Sequence, residues 1–282
     1  MQSDRFVVER YSSAARFLHD AGPWLAANEP ENNLVLGLAH LLASDDHPFQ
    51  EPVYLAAVKE EGRIVGCAVR PPPDHLDITA MPAGAAGVLA ASAAEHCPEL
   101  TELGGPPAPA REFARAWASR NGGHWRVIHH WSWFVLRKVE APPAAPGGAL
   151  RLAEATDWPL ISEWAPLYVR DTGVQGSVVP FLERRLRTRS LYVWDHAGPK
   201  CMVSISGHTP NGLRVSGVYT PDAQRNRGYA SNAVATVSQR ALDEGRSHCV
   251  LFGESHHTAT LRVYQNVGYK LLHETIVIEL TP

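Results

Sequence analysis

The residues with the clearest capacity for chemistry lie in one run of the second half of the chain, Val218-Tyr219-Thr220-Pro221-Asp222-Ala223-Gln224-Arg225-Asn226-Arg227-Gly228-Tyr229-Ala230. This run leaves a predicted strand, turns, and enters a predicted helix. The N-terminus of a helix presents backbone N–H groups without helical partners and the positive end of the helix dipole. Gly228 places no Cβ in the way of a ligand, and Arg225 and Arg227 add positive charge. The run therefore predicts a loop that holds a phosphate or pyrophosphate.

A second candidate is Tyr264, in the segment Leu261-Arg262-Val263-Tyr264-Gln265-Asn266-Val267-Gly268-Tyr269, where a helix is predicted over residues 258–267 and ends at Gly268. A phenol with a pKa near roughly 10 stays protonated at neutral pH and can donate its proton to a leaving group. The alternative is a tyrosine that packs on its helix face with its hydroxyl at the surface.

These two segments resemble the two signatures of the GNAT superfamily of N-acetyltransferases. The Arg-x-x-Gly-x-Ala run of Arg225, Gly228 and Ala230 resembles the acyl-CoA pyrophosphate loop of that family, which follows the fourth strand and opens the third helix. The segment around Tyr264 resembles the second signature. The resemblance covers residues 150–280, and it implies an α+β fold of the α/β-type GNAT class with a mixed, largely antiparallel sheet flanked by helices.

The resemblance also implies roles for individual residues. The loop amides would bind the pyrophosphate of acetyl-CoA, the strand end would pair with its pantetheine arm, and Tyr264 would be the general acid that protonates the departing thiolate. His257 stands where the family often has an asparagine, so it could hydrogen-bond the pantetheine or cap the helix. The cofactor-binding residues implied in this way are Val218, Tyr219, Gln224, Arg225, Asn226, Arg227, Gly228, Tyr229, Ala230 and His257.

The general base is less well marked than the acid. Glu254, at the end of the predicted strand before the Tyr264 helix, is the first candidate, and His208, His256 and His257 are others. A solvated loop position is the ordinary alternative for each of them. Ser216 is rejected as a hydrolase nucleophile, because such a role needs a paired histidine and acid that the sequence does not locate.

Hydrophobic periodicity gives the order of elements in both halves. In the second half, strands are predicted at 191–194, 200–207 and 213–219, then a helix at 230–242, a strand at 249–252, the helix at 258–267 and a last strand at 271–280. The first half shows a similar order at lower clarity, which indicates a diverged internal duplication rather than a chance similarity between two α+β domains. Its predicted elements are strands at 6–9, 53–58, 64–69 and 75–79, helices at 12–20, 32–43, 83–94 and 110–119, and paired strands at 125–139.

The Ala/Pro/Gly-rich segment 141–149 is predicted to be a linker between a GNAT-like domain at 1–140 and an acetyltransferase domain at 150–282. In the first half the place of the pyrophosphate loop is taken by residues 79–85, which lack the Arg-x-x-Gly-x-Ala pattern. The helix at 110–119 also lacks a tyrosine before its Gly122-Gly123. We therefore expect a first domain that has lost CoA binding, and one CoA site per chain.

Composition excludes several other function classes. The 282 residues carry 26 Lys and Arg against 29 Asp and Glu, a net charge of −3 that argues against broad capture of nucleic acid or an anionic membrane. No apolar stretch reaches the roughly 18 residues needed to span a bilayer, and the four cysteines form no C-x-x-C pair, so a cytoplasmic protein with free thiols is expected. Adjacent histidines at 129–130 and 256–257 point to opposite faces of a strand, so no metal site is predicted.

The strongest positive patch is Arg184-Arg185-Leu186-Arg187-Thr188-Arg189. The first interpretation is a solvated helix end, and the alternative is a contact with CoA phosphates or with an acidic substrate. The Trp125, Trp131 and Trp133 run has no basic run beside it, and we interpret it as packing at a domain interface rather than as a base-stacking surface.

The sequence thus predicts an acyl-CoA-dependent N-acyltransferase that transfers acetyl from acetyl-CoA to a primary amine of a small molecule or peptide, by direct attack in a ternary complex. The alternative is a non-catalytic acyl-CoA-binding sensor or interaction module. The identity of the amine, the acyl chain length and the choice between monomer and homodimer are left open.

Overall fold

The computed structural model describes residues 5–44, 47–50, 52–73, 75–143, 145–174 and 178–281. The chain divides into two compact units. The first comprises Met1–Ser132 together with His273–Pro282, and the second comprises Trp133–Leu272.

Within the described residues, the first unit contains strands in the order β1-β2-β3-β4-β5-β12, the larger part of β6, and the helices α1 to α4. The final strand β12 (Lys270–Thr281) joins this unit from His273 onward, and β6 (His124–Leu136) belongs to it up to Ser132. The other elements are β1 (Phe6–Arg10), α1 (Ala14–Ala27), α2 (Asn33–Leu42), β2 (Tyr54–Glu60), β3 (Arg63–Arg70), β4 (Leu76–Ile78), α3 (Ala85–His96), β5 (Glu102–Gly105) and α4 (Pro107–Asn121).

Both faces of this sheet are buried, which explains the near-continuous apolar character of its central strands. Along β2, Ala56 and Val58 pack in a cluster with α3 and α4, while the alternate residues Leu55 and Ala57 pack in a cluster with α1 and α2. The strands β1 to β4 pair antiparallel with their neighbours, β4 pairs parallel with β5, and β5 pairs antiparallel with β12.

The second unit has the strand order β6-β11-β10-β9-β8-β7, with β6 contributing residues 133–136. Strands β7 to β10 pair antiparallel, and β10 pairs parallel with β11. Its other elements are β7 (Ala149–Leu152), α5 (Trp158–Thr172), α6 (Val178–Arg187), β8 (Leu191–Asp195), β9 (Pro199–Ser206), β10 (Gly212–Tyr219), α7 (Tyr229–Asp243), β11 (His248–Glu254) and α8 (Thr258–Gln265).

Alternation along the strands again divides the core of the second unit between two faces. Leu213 and Val215 of β10 pack with α7 and α8 in one cluster, which we call the α7–α8 face. Met202 of β9 and Tyr219 at the end of β10 pack with α5 and α6 on the other, the α5–α6 face. Each unit is therefore a mixed sheet flanked by helices, and the α+β class predicted from the sequence is confirmed.

Two local predictions need correction. The segment predicted as paired strands at 125–139 is the single strand β6, because no turn residue interrupts it between His124 and Leu136. Strand β5 was not predicted, since its Gly104 and Gly105 have low strand propensity. Glycine is needed at Gly105 because a Cβ would lie 2.5 Å from Cγ1 of Ile78.

The compact units also divide at other points than the predicted segment 141–149. Residues 273–282 belong to the first unit because β12 pairs with β5, with Ile276 opposite Gly105. Gly147 of the Pro/Gly segment contacts β8, where its carbonyl accepts a 2.9 Å hydrogen bond from Nε1 of Trp194. The boundaries at 1–140 and 150–282 thus remain a prediction about the duplicated halves of the sequence.

Within the described residues, no helix combines the length and apolarity that crossing a membrane requires. All four cysteines are buried and free of disulfide bonds, and burial raises the pKa of the Cys201 and Cys249 thiols to about 12.

The packing of Gly148 gives a stability prediction. Its φ of +94° disfavours any side chain, and a Cβ would lie 2.1 Å from the carbonyl oxygen of Asp195. We expect Gly148→Ala to lower the free energy of unfolding by about 3 kcal/mol or more, measured by urea denaturation. Gly173→Ala is the matched control, because Gly173 has a φ of +68° in open space. Gly173→Ala should lower the free energy of unfolding by about 1–2 kcal/mol, which is the cost of the left-handed backbone alone. An equal loss in the two variants would contradict the role of the close approach of Gly148 to Asp195.

Candidate functional site

The candidate site lies at the edge of the second unit where the parallel strands β10 and β11 end. The ladder between these strands covers Gly212–Arg214 of β10 and His248–Val250 of β11, after which both strands continue. The carboxyl ends of parallel strands meet at one edge of a sheet, and this is where α/β proteins commonly bind ligands. The loop into α7 and the loop into α8 both leave from this edge.

A bulge in β10 accompanies the separation of the two strands. The register between β10 and β9 shifts between Ser216 and Tyr219, and Gly217 has a φ of +58°. A Cβ at Gly217 would lie 2.9 Å from Oγ of Ser204, so glycine is required for the bend. Bulges bend a strand and increase its twist, which helps β10 turn away from β11.

The N-terminus of α7 leaves its first backbone N–H groups without helical partners. Gly228 is its N-cap residue, lies in the left-handed region at φ +83°, and makes no capping hydrogen bond because it has no side chain. Asn226, two residues earlier, also has a positive φ of 60°. Such alternation of backbone hand turns successive N–H groups toward one point. The first N–H groups of α7 therefore face the loop without a side-chain cap, and the site fits a pyrophosphate.

Arg225 holds the loop in place through ion pairs with two carboxylates. Its Nη2 lies 2.6 Å from Oδ2 of Asp171 on α5, its Nη1 lies 2.6 Å from Oδ1 of Asp222, and its Nε donates to the carbonyl of Thr220 at 3.0 Å. This differs from the expectation that Arg225 adds charge for the ligand. Arg227 is exposed and, in the part of the chain that is described, forms no ion pair.

The hydrogen bonds of Arg170 and Arg225 lower the pKa of Asp171 against the opposing effect of burial, so this carboxylate is charged at neutral pH. Arg225 and Asp171 thus tie the loop to α5.

The side chains of three other predicted cofactor residues are turned into the protein. Tyr229 is buried on the α7–α8 face and shares a 3.0 Å hydrogen bond with Nδ1 of His196. Tyr219 is buried on the α5–α6 face beside Trp164 and Tyr168. Val218 is partly buried against the α7–α8 cluster. Any contact that these three residues make with a ligand at this edge would therefore come mainly from their backbone.

Tyr264 lies on α8 and reaches the sheet from the α7–α8 face. Its side chain is 5% exposed and packs against Phe134 and Tyr269, each with its ring centroid 6.3 Å away. A Cβ at Gly253 of β11 would lie 3.5 Å from Cε2 of Tyr264, which places the ring beside this strand. Among the described residues the Tyr264 hydroxyl makes no hydrogen bond.

Burial raises the pKa of Tyr264 well above its ordinary value, and the phenol of Tyr168 adds to the effect. Tyr168 belongs to α5 and packs on the opposite face of the sheet, where burial raises its own pKa to about 12. Tyr264 therefore packs beside β11 at Gly253, beyond the last paired residues Arg214 and Val250 of the β10–β11 ladder.

The candidate bases are at two different edges. Glu254, 5% exposed, ends β11 at the edge of the candidate site, and its Oε2 lies 3.4 Å from Nδ1 of the exposed His256. His257 is the N-cap residue of α8 but makes no side-chain capping bond, so the capping alternative is not observed. His208 follows β9, which runs antiparallel to β10, and so lies at the opposite edge of the sheet.

The first unit has a comparable helix terminus, and there a carboxylate of the chain itself takes the anion position. Helix α3 also begins after a left-handed glycine, Gly84 at φ +93°. The Gly84 N–H donates to Oε1 and Oε2 of Glu112 at 3.0 and 3.1 Å, and the Gly87 N–H donates to Oε1 at 2.9 Å. Glu112 comes from α4, so its carboxylate caps α3 from a neighbouring helix.

Sequence reasoning missed Tyr168, Asp171 and Glu112. Each acts through a partner far away in the chain, and none lies in a motif of its own. Among the described residues, no three His, Cys, Asp or Glu side chains are grouped so that they could hold a metal ion.

Several solved structures resemble the chain over its whole length. A Drosophila protein matches with a TM-score of 0.70 and 12% identity, covering 98% of this chain and 99% of that one. A GCN5-related N-acetyltransferase from Sphaerobacter thermophilus matches with a TM-score of 0.62 and 15% identity, covering 99% and 97%. A tandem GNAT protein from the clavulanic acid biosynthesis pathway matches with a TM-score of 0.54 and 15% identity, covering 98% of both chains.

At these identities the likeness establishes the fold. The chain has a tandem GNAT fold, and the fold implied by the sequence resemblance is confirmed. No family model matches the sequence, and no curated protein matches it significantly.

The capped terminus of α3 gives a prediction for the first unit. Glu112→Gln keeps the size of the side chain and removes the charge that faces the helix dipole, so it should lower the free energy of unfolding by about 1–2 kcal/mol. Glu95→Gln is the control, since Glu95 pairs with Arg120 at the surface and should contribute about 0–1 kcal/mol. Urea denaturation of both variants measures the difference. An equal or smaller effect of Glu112→Gln would contradict the capping role.

Proposed function

We propose that the chain is an acyl-CoA-dependent N-acyltransferase whose second unit binds acetyl-CoA and transfers its acetyl group to a primary amine. The observation that carries this proposal is the meeting of two features at one edge of the sheet. The N-terminus of α7, which has no side-chain cap, faces the loop at Gly228. The ring of Tyr264 lies beside Gly253 of β11, beyond the last paired residues of the ladder between β10 and β11.

The loop residues 224–230 would hold the pyrophosphate of acetyl-CoA through backbone N–H groups at the start of α7. Gly228 provides the close approach, Arg227 adds an exposed positive charge, and Arg225 fixes the loop through Asp171. The end of β10 at Val218 and Tyr219 would pair through its backbone with the pantetheine arm, as an added strand pairs with a sheet edge. His257, at the start of α8, would contact the same arm. The bound cofactor supplies an activated acyl thioester.

Tyr264 would act as the general acid. Because its pKa is raised, the phenol holds its proton at Oη throughout the physiological range and can donate it to the departing thiolate sulfur. The burial that raises the pKa of the phenol also disfavours a thiolate beside it, so the same environment acts on both partners of the proton transfer.

Glu254 would accept a proton from the attacking amine. It is the carboxylate that ends β11 at this edge, and its proximity to His256 gives a route from the buried site to an exposed side chain. The amine must lose a proton to attack, and a carboxylate within reach directly or through one water serves that purpose.

The first unit would contribute no second cofactor site. Residues 79–85 lack the Arg-x-x-Gly-x-Ala pattern, and the anion position at α3 is taken by Glu112. We therefore propose one acetyl-CoA per chain.

Calorimetric titration with acetyl-CoA tests the binding site. The wild-type chain should bind one equivalent, and Gly228→Glu should weaken binding at least about 100-fold, because its carboxylate repels the pyrophosphate from the helix terminus. Gly245→Glu is the matched control, since it adds the same charge at φ +92° in open space beyond the other end of α7. It should bind as the wild type does. Two equivalents per chain, or equal binding by Gly228→Glu, would contradict the proposal.

The acid role predicts a selective loss of turnover. Tyr264→Phe keeps the ring packing and removes only Oη, so kcat for amine-dependent thiol release should fall about 100-fold or more with the Kd for acetyl-CoA unchanged. Tyr269→Phe is the control: its hydroxyl bonds Ser238 at 2.8 Å, so it should lose about 1 kcal/mol of stability and keep its kcat. Because the pKa of Tyr264 is raised, its ionisation should cause no alkaline loss of rate up to pH 10.

The same assay separates the enzyme from a sensor. If the chain binds acetyl-CoA but no primary amine in a broad panel stimulates thiol release, the non-catalytic acyl-CoA-binding module is the correct function. If Tyr264→Phe turns over as fast as the wild type, the enzyme uses a different acid.

A further inference from the structure

Three arginines of the second unit form a group that the proposed function does not use. We call Arg184, Arg185 and Arg214 the arginine cluster. Arg184 and Arg185 lie near the end of α6, and Arg214 lies near the beginning of β10. All three are partly buried, whereas Arg187 and Arg189 of the same basic run are exposed. The solvated helix end that the sequence indicated therefore describes only the last part of the run.

The position of Arg185 is fixed by the packing of α6 on the sheet. Phe181, one turn earlier, lies against β10, since a Cβ at Gly217 would be 3.5 Å from its Cε1. The guanidinium carbon of Arg185 lies 5.0 Å from the centroid of that ring. The carbonyl of Arg185 accepts a 2.8 Å hydrogen bond from the backbone N–H of Ser190. Arg185 is thus held over the α5–α6 face beside β9 and β10.

Hydroxyl groups line the sheet next to Arg214. Arg214 is paired across the sheet with Ser206, and the guanidinium carbon of Arg214 lies 6.0 Å from the ring centroid of Phe252. Ser216 Oγ lies 3.0 Å from both Ser206 Oγ and Ser204 Oγ, so these hydroxyls share one face with Arg214. Ser204 and Ser206 are fully buried and the Ser204 hydroxyl donates to the carbonyl of Ser216, so the guanidinium groups are the donors that a carboxylate or phosphate would use here.

The charge of Arg185 is not compensated within the described part of the chain. Its side chain forms no ion pair or hydrogen bond there, and its buried Nε has no hydrogen-bond partner. Burial lowers the pKa of Arg185 to about 10, and the positive charges of Arg214 and Arg184 act in the same direction. A partly buried cation among other cations is unfavourable unless a ligand supplies the negative charge.

We propose that the arginine cluster binds an anionic group of the acceptor, so that the acceptor class is a primary amine that also carries a carboxylate or a phosphate. This inference rests on the proposed acyl transfer in the same unit. It gives the acceptor a defined orientation, with its anionic group at Arg185 and Arg214 and its amine toward Glu254.

The geometry separates this position from the cofactor loop. Arg214 is opposite Val250, four residues before Glu254, which is about 13 Å along a strand. Phe252 and Glu254 share a strand face because side chains alternate. The pyrophosphate loop follows the other end of β10, after Tyr219. The arginine cluster therefore lies on the amine side of Glu254 rather than at the CoA phosphates.

The test uses the full chain with acetyl-CoA and matched acceptors in the thiol-release assay. The acceptors are ω-amino carboxylic acids of increasing length, the corresponding carboxamides, ω-aminoalkyl phosphates and spermidine. We expect kcat/KM at least 10-fold higher for an acid or phosphate than for its uncharged counterpart. Comparing the acids with the phosphates identifies the anion. Preference for carboxamides or spermidine would overturn the inference while leaving acyl transfer intact.

Arg185→Gln should remove this preference by raising KM for the anionic acceptor at least 10-fold. It should leave the Kd for acetyl-CoA unchanged. Arg187→Gln is the matched control, because Arg187 is exposed on the same helix, and it should leave the preference unchanged. An unchanged preference in Arg185→Gln would also overturn the inference. If the wild-type chain does not bind acetyl-CoA, the proposed function is refuted instead.

A binding measurement decides the matter even if none of these acceptors is turned over. Inorganic phosphate should raise the Tm of the wild-type chain at constant ionic strength, with chloride as the reference, and Arg185→Met should abolish that rise. Arg185→Met should also have a higher Tm than the wild type without phosphate, because it removes an uncompensated cation; a merely structural arginine would give a lower one. If phosphate has no effect on the wild-type Tm, the cluster is not an anion site.

Discussion

The early end of the ladder between β10 and β11 is the constraint on which the candidate site depends. These strands are paired over Gly212–Arg214 and His248–Val250 and then continue at the centre of a sheet covered by helices on both faces. Beyond the ladder, Tyr264 packs on one face beside Gly253 of β11, and Tyr168 packs on the other face beside Tyr219 of β10. The bulge at Gly217 is the local device that lets β10 turn.

The two units differ in what faces the partial positive charge at the N-terminus of a helix. A helix that starts after a left-handed glycine leaves several N–H groups and a partial positive charge facing its loop. In the first unit Glu112 supplies the counter-charge from a neighbouring helix. In the second unit no side chain among the described residues caps the helix at Gly228, and the nearby charged groups, Arg225 and Asp171, neutralise each other. The same backbone motif can therefore be a structural cap or a ligand site, depending on one acidic residue.

Local pattern predicted the elements that carry the site but not the contacts between them. The apolar stripe of α7 and the Gly228 loop could be identified because the residues that form each pattern lie close together in the sequence, within about one helix length. The partner of Arg225 on α5 lies 54 residues away, and the partners of Glu112 lie 25 and 28 residues away. No periodicity encodes such pairs. The assignment of residues 273–282 to the first unit could not be predicted either, because it depends on pairing with β5, which is far away in the sequence.

The basic run 184–189 also shows that the local sequence does not predict the surroundings of each charged side chain. A sequence gives the number of arginines but not the dielectric environment of each, and a solvated charge and a buried one differ by several kcal/mol. The i, i+4 relation of Phe181 and Arg185 places both on the side of α6 that meets β10, whereas Arg187 points elsewhere. Once one guanidinium is enclosed beside a second strand-borne arginine, the protein must either accept the electrostatic cost or bind an anion. Guanidinium groups that converge on one face are the donors that binding an anion requires.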